Sequence, residues 1–326
     1  MEGRNMRKFV NGIVLALVLW VLPAAANAQT MLIPVGRVIG LELANNTVTV
    51  AAFDENLGQQ AKTAGLQVGD QIIDMDGKKI YCAEDVRTSL VQSDGSVDMT
   101  VLRQGKEHKL HIAPSITQEG PKLGVYLRNG ITGIGTITFY NPGTGRFGTL
   151  GHGVNDENGR LLQLTTGKAY PANVVSVRKG KSGEPGQLMG VLSSNVPIGP
   201  LTKNTSQGVF GTAHQNFQGQ AIPVGTIDDV QPGHATIRST INGNTPQEYS
   251  VEILKIYPNA RSNGRNMLIR VTDEKLLQIT GGIVQGMSGS PIIQDGKLVG
   301  AVTHVLVNDP TTGYGIFIEN MLDAAA

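Results

Sequence analysis

Short runs of alternating apolar and polar residues recur along almost the whole chain, separated by turns rich in glycine, proline and asparagine. Arg37-Val-Ile-Gly-Leu-Glu-Leu43 and Thr47-Val-Thr-Val-Ala-Ala-Phe53 predict strands. Gln59 to Ala64 predicts a short helix stopped by Gly65. A turn ending in Gly69-Asp70 then feeds a buried strand, and a second turn at Asp76-Gly77 feeds another. Ala83 to Val91 has helical spacing with Val86 and Leu90 on one face, and Val97–Arg103 with Glu107–Ile112 predicts a hairpin across Gln104-Gly105. Residues 116–122 are polar and turn-rich and read as a linker. Beyond them, Ile134–Tyr140, Ala172–Val177, Gln187–Leu192, Ala235–Arg238, Glu248–Ile256 and Met267–Val271 are candidate strands, and Asn320 to Ala324 is a candidate closing helix. The pattern predicts a mainly β protein: an α+β domain over 31–115, then a barrel or sandwich over 116–326.

The N-terminus is of another kind. Arg4, Arg7 and Lys8 precede an uncharged apolar run, Ile13 to Leu22, and Pro23-Ala-Ala-Ala-Asn-Ala28 ends in a small-x-small pattern. Residues 1–28 are therefore expected to be a signal peptide cleaved after Ala28, or else a retained N-terminal membrane anchor. In either case the body of the protein is expected to work outside the cytoplasm, with membrane contact only through this segment. The 326 residues suit about two domains. The 42 glycines fit many turns, and a net charge of +1 offers no basic face for nucleic acid. The single cysteine, Cys82, excludes an internal disulfide and a cysteine-based zinc site, and reads as a small buried apolar residue. His214, His234 and His304 lack carboxylates at ligand spacing, so neither a metal nor a cofactor is expected.

The candidate chemistry lies in Gly281-Gly-Ile-Val-Gln-Gly-Met-Ser-Gly-Ser-Pro-Ile292. A serine hydroxyl becomes a nucleophile only when a base takes its proton and donors hold the oxyanion. Glycines at 286 and 289 let the backbone turn sharply around Ser288, and this spacing favours Ser288 over Ser290. The base it requires is His152, on the glycine-flanked turn of Phe147-Gly-Thr-Leu-Gly-His-Gly-Val154. Histidine upstream and serine near the C-terminus is the order of chymotrypsin-like double β-barrels. Lys297-Leu-Val-Gly-Ala-Val-Thr-His304 is then expected to line a specificity pocket.

Two resemblances extend this reading. Ala64-Gly-Leu-Gln-Val-Gly-Asp-Gln-Ile-Ile73 and the helix after it resemble a PDZ domain. That resemblance implies capture of peptide C-termini by the loop Val35, Gly36, Arg37, Val38, Ile39 and Gly40, beside an edge strand beginning at Leu41. Asp70 and Asp74 are read as turn and solvent-facing residues. Gly135-Thr-Ile-Thr-Phe-Tyr140, Gly148-Thr-Leu-Gly-His-Gly153, Val271-Thr-Asp273, the Ser288 segment, Gly300-Ala-Val-Thr-His-Val305 and Gly313-Tyr-Gly-Ile316 together resemble the SpoIVB family of sporulation serine peptidases. Asn129 departs from the acidic residue expected after Arg128.

The SpoIVB resemblance implies Ser288 as nucleophile, His152 as base and then acid, Asp273 as the acid that orients the imidazole, and the amides of Gly286 and Ser288 as the oxyanion hole. Asp273 lies only 15 residues before Ser288, whereas a chymotrypsin-like fold delivers its acid from the first barrel. A bracing role for Asp273 therefore stays open, with Asp156, Asp228 and Asp229 as substitutes. The resemblance also implies secretion from the forespore into the intermembrane space and self-cleavage. Its further substrate would be a membrane-bound regulator of an intramembrane metalloprotease, whose cleavage triggers processing of a late sigma factor. A non-catalytic PDZ scaffold and a general envelope quality-control protease are the competing readings.

Overall fold

In the computed structural model the described residues are 30–156, 159–259 and 264–326. The expected export segment, residues 1–28, lies outside them. β1 (Met31–Pro34) leads into β2 (Val38–Phe53), in which the two strands predicted for this region are one. They fuse because a bulge, not a turn, absorbs the residues between them. The register against a later strand shifts between Leu43 and Val48. Opposite that shift sits Gly130, at φ +83°, where a Cβ would lie 1.9 Å from the Leu43 carbonyl oxygen.

The far half of β2 carries an α+β layer. It pairs with β3 (Gln71–Met75), which pairs with the short β4 (Lys78–Lys79) and with β5 (Val97–Arg103); β6 (Lys106–Ile112) closes the edge. α1 (Gln59–Thr63) and α2 (Ala83–Gln92) cover this sheet. The period-2 positions Val97, Met99 and Val101 meet Val86 and Leu90 of α2 in one apolar core. Asp70 departs from the solvent-facing reading. It is fully buried, and its carboxylate accepts two 2.7 Å bonds from the Arg103 guanidinium, which also donates to the Gly65 carbonyl. A buried carboxylate needs such a partner to offset its lost hydration.

Residues 115–122, expected mostly as linker, are a hairpin of β7 (Ser115–Thr117) and β8 (Gly120–Lys122). β9 (Val125–Tyr140) then runs back along β2, from the Phe53–Val125 pair to the Val38–Thr136 pair. The α+β layer is thus inserted between two 16-residue strands. β1 and the first half of β2, expected in the first domain, belong to a barrel.

That barrel adds β10 (Arg146–Thr149), β11 (Thr166–Arg178), β13 (Gly199–Thr205) and β14 (Gly208–Thr212), with β12 (Gln187–Leu192) pairing outside it on β11. The order β9-β10-β14-β13-β11-β2 closes on itself through the β2–β9 pairing. After β15 (Ile222–Pro223) a second closed barrel follows. Its strands are β16 (Gly233–Ser239), β17 (Gln247–Ile256), β18 (Met267–Val271), β19 (Pro291–Gln294), β20 (Lys297–Leu306) and β21 (Asp309–Phe317). α3 (Glu274–Thr280) precedes β19, and α4 (Ile318–Ala325) ends the chain. Tyr249, Val251 and Ile253 of β17 alternate inward against Met267, Ile269 and Val271 of β18. A smaller core joins the two barrels: Leu32, Phe139 and Phe210 of the first pack with Leu298, Ala301 and Ile316 of the second. Ile318 and Met321 of α4 seal that seam.

Candidate active site

Ser288 lies on the tight turn between α3 and β19, and both barrels hold that turn. From β9, the Thr136 amide donates to the Ser288 carbonyl (3.0 Å), the Thr136 hydroxyl to the Gly286 carbonyl (2.8 Å) and the Thr138 hydroxyl to the Gly289 carbonyl (2.7 Å). From the second barrel, the Val302 carbonyl accepts from the Gly289 amide (2.7 Å). Gly289 is imposed by this closeness. A Cβ there would stand 2.1 Å from the Thr136 carbonyl oxygen and 2.5 Å from the Leu150 nitrogen, and its φ is +94°. With these bonds made, the amides of Gly286 and Ser288 donate to no group among the described residues. Two free amides flanking a fixed serine suit an oxyanion. Ser290 is fully buried and donates to the Ser239 hydroxyl, which removes it as an alternative nucleophile.

His152 follows β10 from the other barrel. Leu150 at φ +69° and Gly151 at φ +68° turn the chain left-handed immediately before it. Such a conformation in a leucine costs energy and persists only where the surroundings dictate it. Here Leu150 is buried against the serine turn and against Gly135. The Nδ1 of His152 lies 3.0 Å from the Gly153 carbonyl, which can only accept, so the ring proton sits on Nδ1 and Nε2 is left as the base. Burial holds this imidazole below the usual histidine range, against the opposing effect of the Gly153 bond, and so keeps it neutral at neutral pH. His152, Gly286 and Ser288 border one cavity of about 240 Å³. The Ser288 hydroxyl donates to the Thr303 carbonyl at 2.8 Å, so attack requires it to rotate toward the imidazole.

The expected acid is elsewhere. Asp273 is the N-cap of α3: one carboxylate oxygen accepts from the Leu276 amide at 2.9 Å and the other lies 3.4 Å from the Ser250 amide. Its carboxylate is engaged by the first turn of α3 and by a β17 amide. The substitutes fare no better. Asp156 holds Arg160, while Asp229 holds Lys297 at 2.6 Å and caps the 3₁₀ turn Ile227–Asp229 that also contains Asp228. The neighbour that His152 does have is His304, on β20, with ring centroids 5.3 Å apart. Among the described residues its Nδ1 is buried without a hydrogen-bond partner, and burial, then His152 and Arg265, push the imidazole down to about 4. Among the described residues no group of three or more His, Cys, Asp or Glu side chains is placed to hold a metal ion.

The expected peptide-capture loop is also corrected. The amides of Val35 and Gly36 donate to Thr138 and Ile137, and Val38 to Gly40 lie inside the sheet with β9 on one side. Ile39 and Gly40 also pair with β11. Neither a free edge nor a row of free amides is left there. A groove of about 340 Å³ lies instead between α2 and residues 121–127, walled by Val86, Leu90, Leu123, Val125 and Leu127. Asn129, the departure from the expected acid, donates to the Tyr81 carbonyl, and Cys82 is the N-cap of α2.

The SpoIVB peptidase S55 family matches residues 119–322. The chain belongs to this family of serine peptidases. The S55 match takes in the strands of both barrels from β9 onward, leaving out β1 and β2, and includes His152, Asp273 and Ser288. The chain is also 39% identical over 88 residues to a putative zinc metalloprotease, Atu1380, of Agrobacterium fabrum, a match covering 27% of this chain and 23% of that relative's length. It aligns with the crystal structure of the Rv3671c protease in an inactive form at a TM-score of 0.36 and 13% identity, over 60% of this chain and 82% of that one.

Sequence reasoning missed the roles of Thr136, Thr138, Thr303 and His304 in this S55 peptidase. Thr136 and Thr138 carried a signal: two threonines at period 2 in an apolar strand face the same way, and buried hydroxyls need acceptors.

Proposed function

We propose that the chain is an exported serine endopeptidase that cleaves peptide bonds through an acyl-enzyme on Ser288. Nε2 of His152 takes the Ser288 proton as the hydroxyl oxygen attacks the substrate carbonyl. The oxyanion is held by the amides of Gly286 and Ser288. The imidazolium then gives its proton to the leaving nitrogen as the C–N bond breaks, leaving an ester. Water, deprotonated by His152, hydrolyses that ester and restores the serine. The Gly153 carbonyl takes the orienting part that a carboxylate has in a triad, so the machinery is a Ser288–His152 dyad.

The observation that carries this reading is the pair of unpaired amides on the turn that shares its cavity with His152. The test is labelling of the purified protein by a serine-directed phosphonate, with peptide cleavage, in wild type, Ser288→Ala and His152→Ala. Labelling of wild type and its loss in both variants is expected. An unlabelled, inactive wild type sinks the enzyme reading and favours a scaffold.

The two barrels, with the histidine on one and the serine on the other, support a chymotrypsin-like architecture. The α+β layer supports a PDZ role with its site relocated. Among the described strands, residues 125–127 of β9 pair with β2 alone, and they border the α2 groove. An extended peptide tail added beside them would place side chains against Val86 and Leu90. The basic n-region, apolar run and small-x-small site of residues 1–28 support export. Family membership supports a signalling protease of sporulation, in the forespore intermembrane space, cleaving itself and a membrane-bound regulator.

A further inference from the structure

The cavity beside the candidate nucleophile has a composition that selects its occupant. Its floor is made by two cross-strand pairs that present one face: Leu41 opposite Gly133, and Leu43 opposite Ile131. Leu150 and Val154, on either side of His152, complete the walls. Among the described residues no aspartate, glutamate, lysine or arginine lines it, and Gln285 is its one amide side chain. Gly133 keeps it open, because a Cβ added there meets nothing within 4 Å and its backbone needs no glycine. About 240 Å³ has room for one side chain of valine to methionine size. A charge placed there would lose hydration with no partner to compensate it.

These walls come from the strands and loop of the histidine-bearing barrel. The Ser288 hydroxyl and the Gly289 amide are tied to the second barrel, through the Thr303 and Val302 carbonyls. His152 must protonate the leaving nitrogen, so the substrate residue carrying that nitrogen lies on the histidine side. The geometry points to this cavity as the subsite for an aliphatic side chain on the residue immediately after the scissile bond. The assignment rests on Ser288 and His152 acting as proposed above.

The experiment uses the mature chain and two peptide series, varied as Leu, Ala, Asp or Lys on one side of the cut at a time. Wild type is expected to prefer Leu over Ala by about 10- to 100-fold in kcat/KM on the leaving-group side, as expected for several methylenes in an apolar pocket. Asp and Lys there are expected to be cleaved more slowly still. Gly133→Val, which fills the cavity, is expected to bring the Leu/Ala ratio close to one. The ratio is read within one preparation, so any loss of folded enzyme cancels. Cleavage indifferent to the leaving-group residue, or an aliphatic preference confined to the acyl side, overturns the assignment and leaves the peptidase reading standing. An unchanged ratio in a Gly133→Val enzyme that still cleaves also overturns it. A wild type that neither cleaves nor labels overturns both.

Discussion

The turn carrying Ser288 is fastened by several hydrogen bonds reaching it from two barrels, whereas among the described residues the imidazole of His152 has one, to the carbonyl of the next residue. The difference follows the two tasks. The oxyanion amides must already point at the place where charge develops, because reorienting them during the reaction would forfeit their effect. Their turn is therefore closed by backbone and buried threonine hydroxyls, which have little freedom. The histidine must first face the serine and then the leaving nitrogen, so its ring needs a fixed tautomer more than a fixed position. A backbone carbonyl supplies that without a second buried charge. Rigid nucleophile turn and lightly held base are two solutions within one cleft.

The clamp on the serine turn is most sensitive at Gly289. A methyl group there would overlap the Thr136 carbonyl oxygen at 2.1 Å and demand φ +94° of an alanine. Gly289→Ala is expected to displace the Gly286 and Ser288 amides and lower kcat/KM by about 100-fold or more, the cost of losing an oxyanion donor. Phosphonate labelling should fall in parallel while circular dichroism stays that of a β protein. Activity close to wild type would mean that the serine turn is not clamped as described.

A smaller effect sharpens the other half. Asp273→Ala removes the cap on the Leu276 amide and is expected to cost about 1 kcal/mol of stability, the usual value for an N-cap. Removing the acid of a working triad lowers kcat by about 10⁴-fold. Peptide cleavage at a temperature where the variant is folded separates the two: a rate near wild type is expected, and a drop of that size would return Asp273 to the catalytic machinery.

What the sequence made legible is what short-range spacing determines. Gly286, Ser288 and Gly289 define a turn by themselves, and Val97–Arg103 with Lys106–Ile112 defines a hairpin, because the turn residues Gln104 and Gly105 adopt the left-handed conformation that such hairpins need. Asp273 reads two ways in sequence because a helix N-cap and a catalytic acid call for the same side chain, and only the fold shows which amides it meets. The PDZ resemblance implies peptide capture at residues 35–40, whereas the strand beside α2 is at 125–127 and residues 35–40 are enclosed by a barrel, an arrangement that depends on pairing between distant segments. The fusion of Arg37–Leu43 with Thr47–Phe53 was hidden for the same reason: the bulge joining them is set by Gly130, far along the chain. Thr136 and Thr138 stand out as two threonines facing one way in an apolar strand, but no local pattern announces that their hydroxyls meet carbonyls some 150 positions away.

The gentlest test concerns pH. His152 and His304 both lie below the usual histidine range in the folded protein, the first through burial, the second at about 4 through burial and then the charges of His152 and Arg265. A base must be neutral, so kcat/KM is expected to be flat through neutral pH and to fall on an acid limb whose apparent pKa lies below 6.5. The stability consequence has a definite sign. Between the folded value near 4 and the unfolded value near 6.5, the unfolded chain binds more protons at His304 than the folded one does. Stability therefore rises with pH across that window and is lost as pH falls from about 6.5 toward 4. His304→Phe removes this contribution while filling similar space beside His152. The urea midpoint of wild type should drop more between pH 7 and pH 4.5 than that of the variant, and the acid limb of kcat/KM should stay where it was. An acid limb that moves with His304 would show that the two rings titrate as a unit, and the single carbonyl on Nδ1 would then not be the whole of what holds the base.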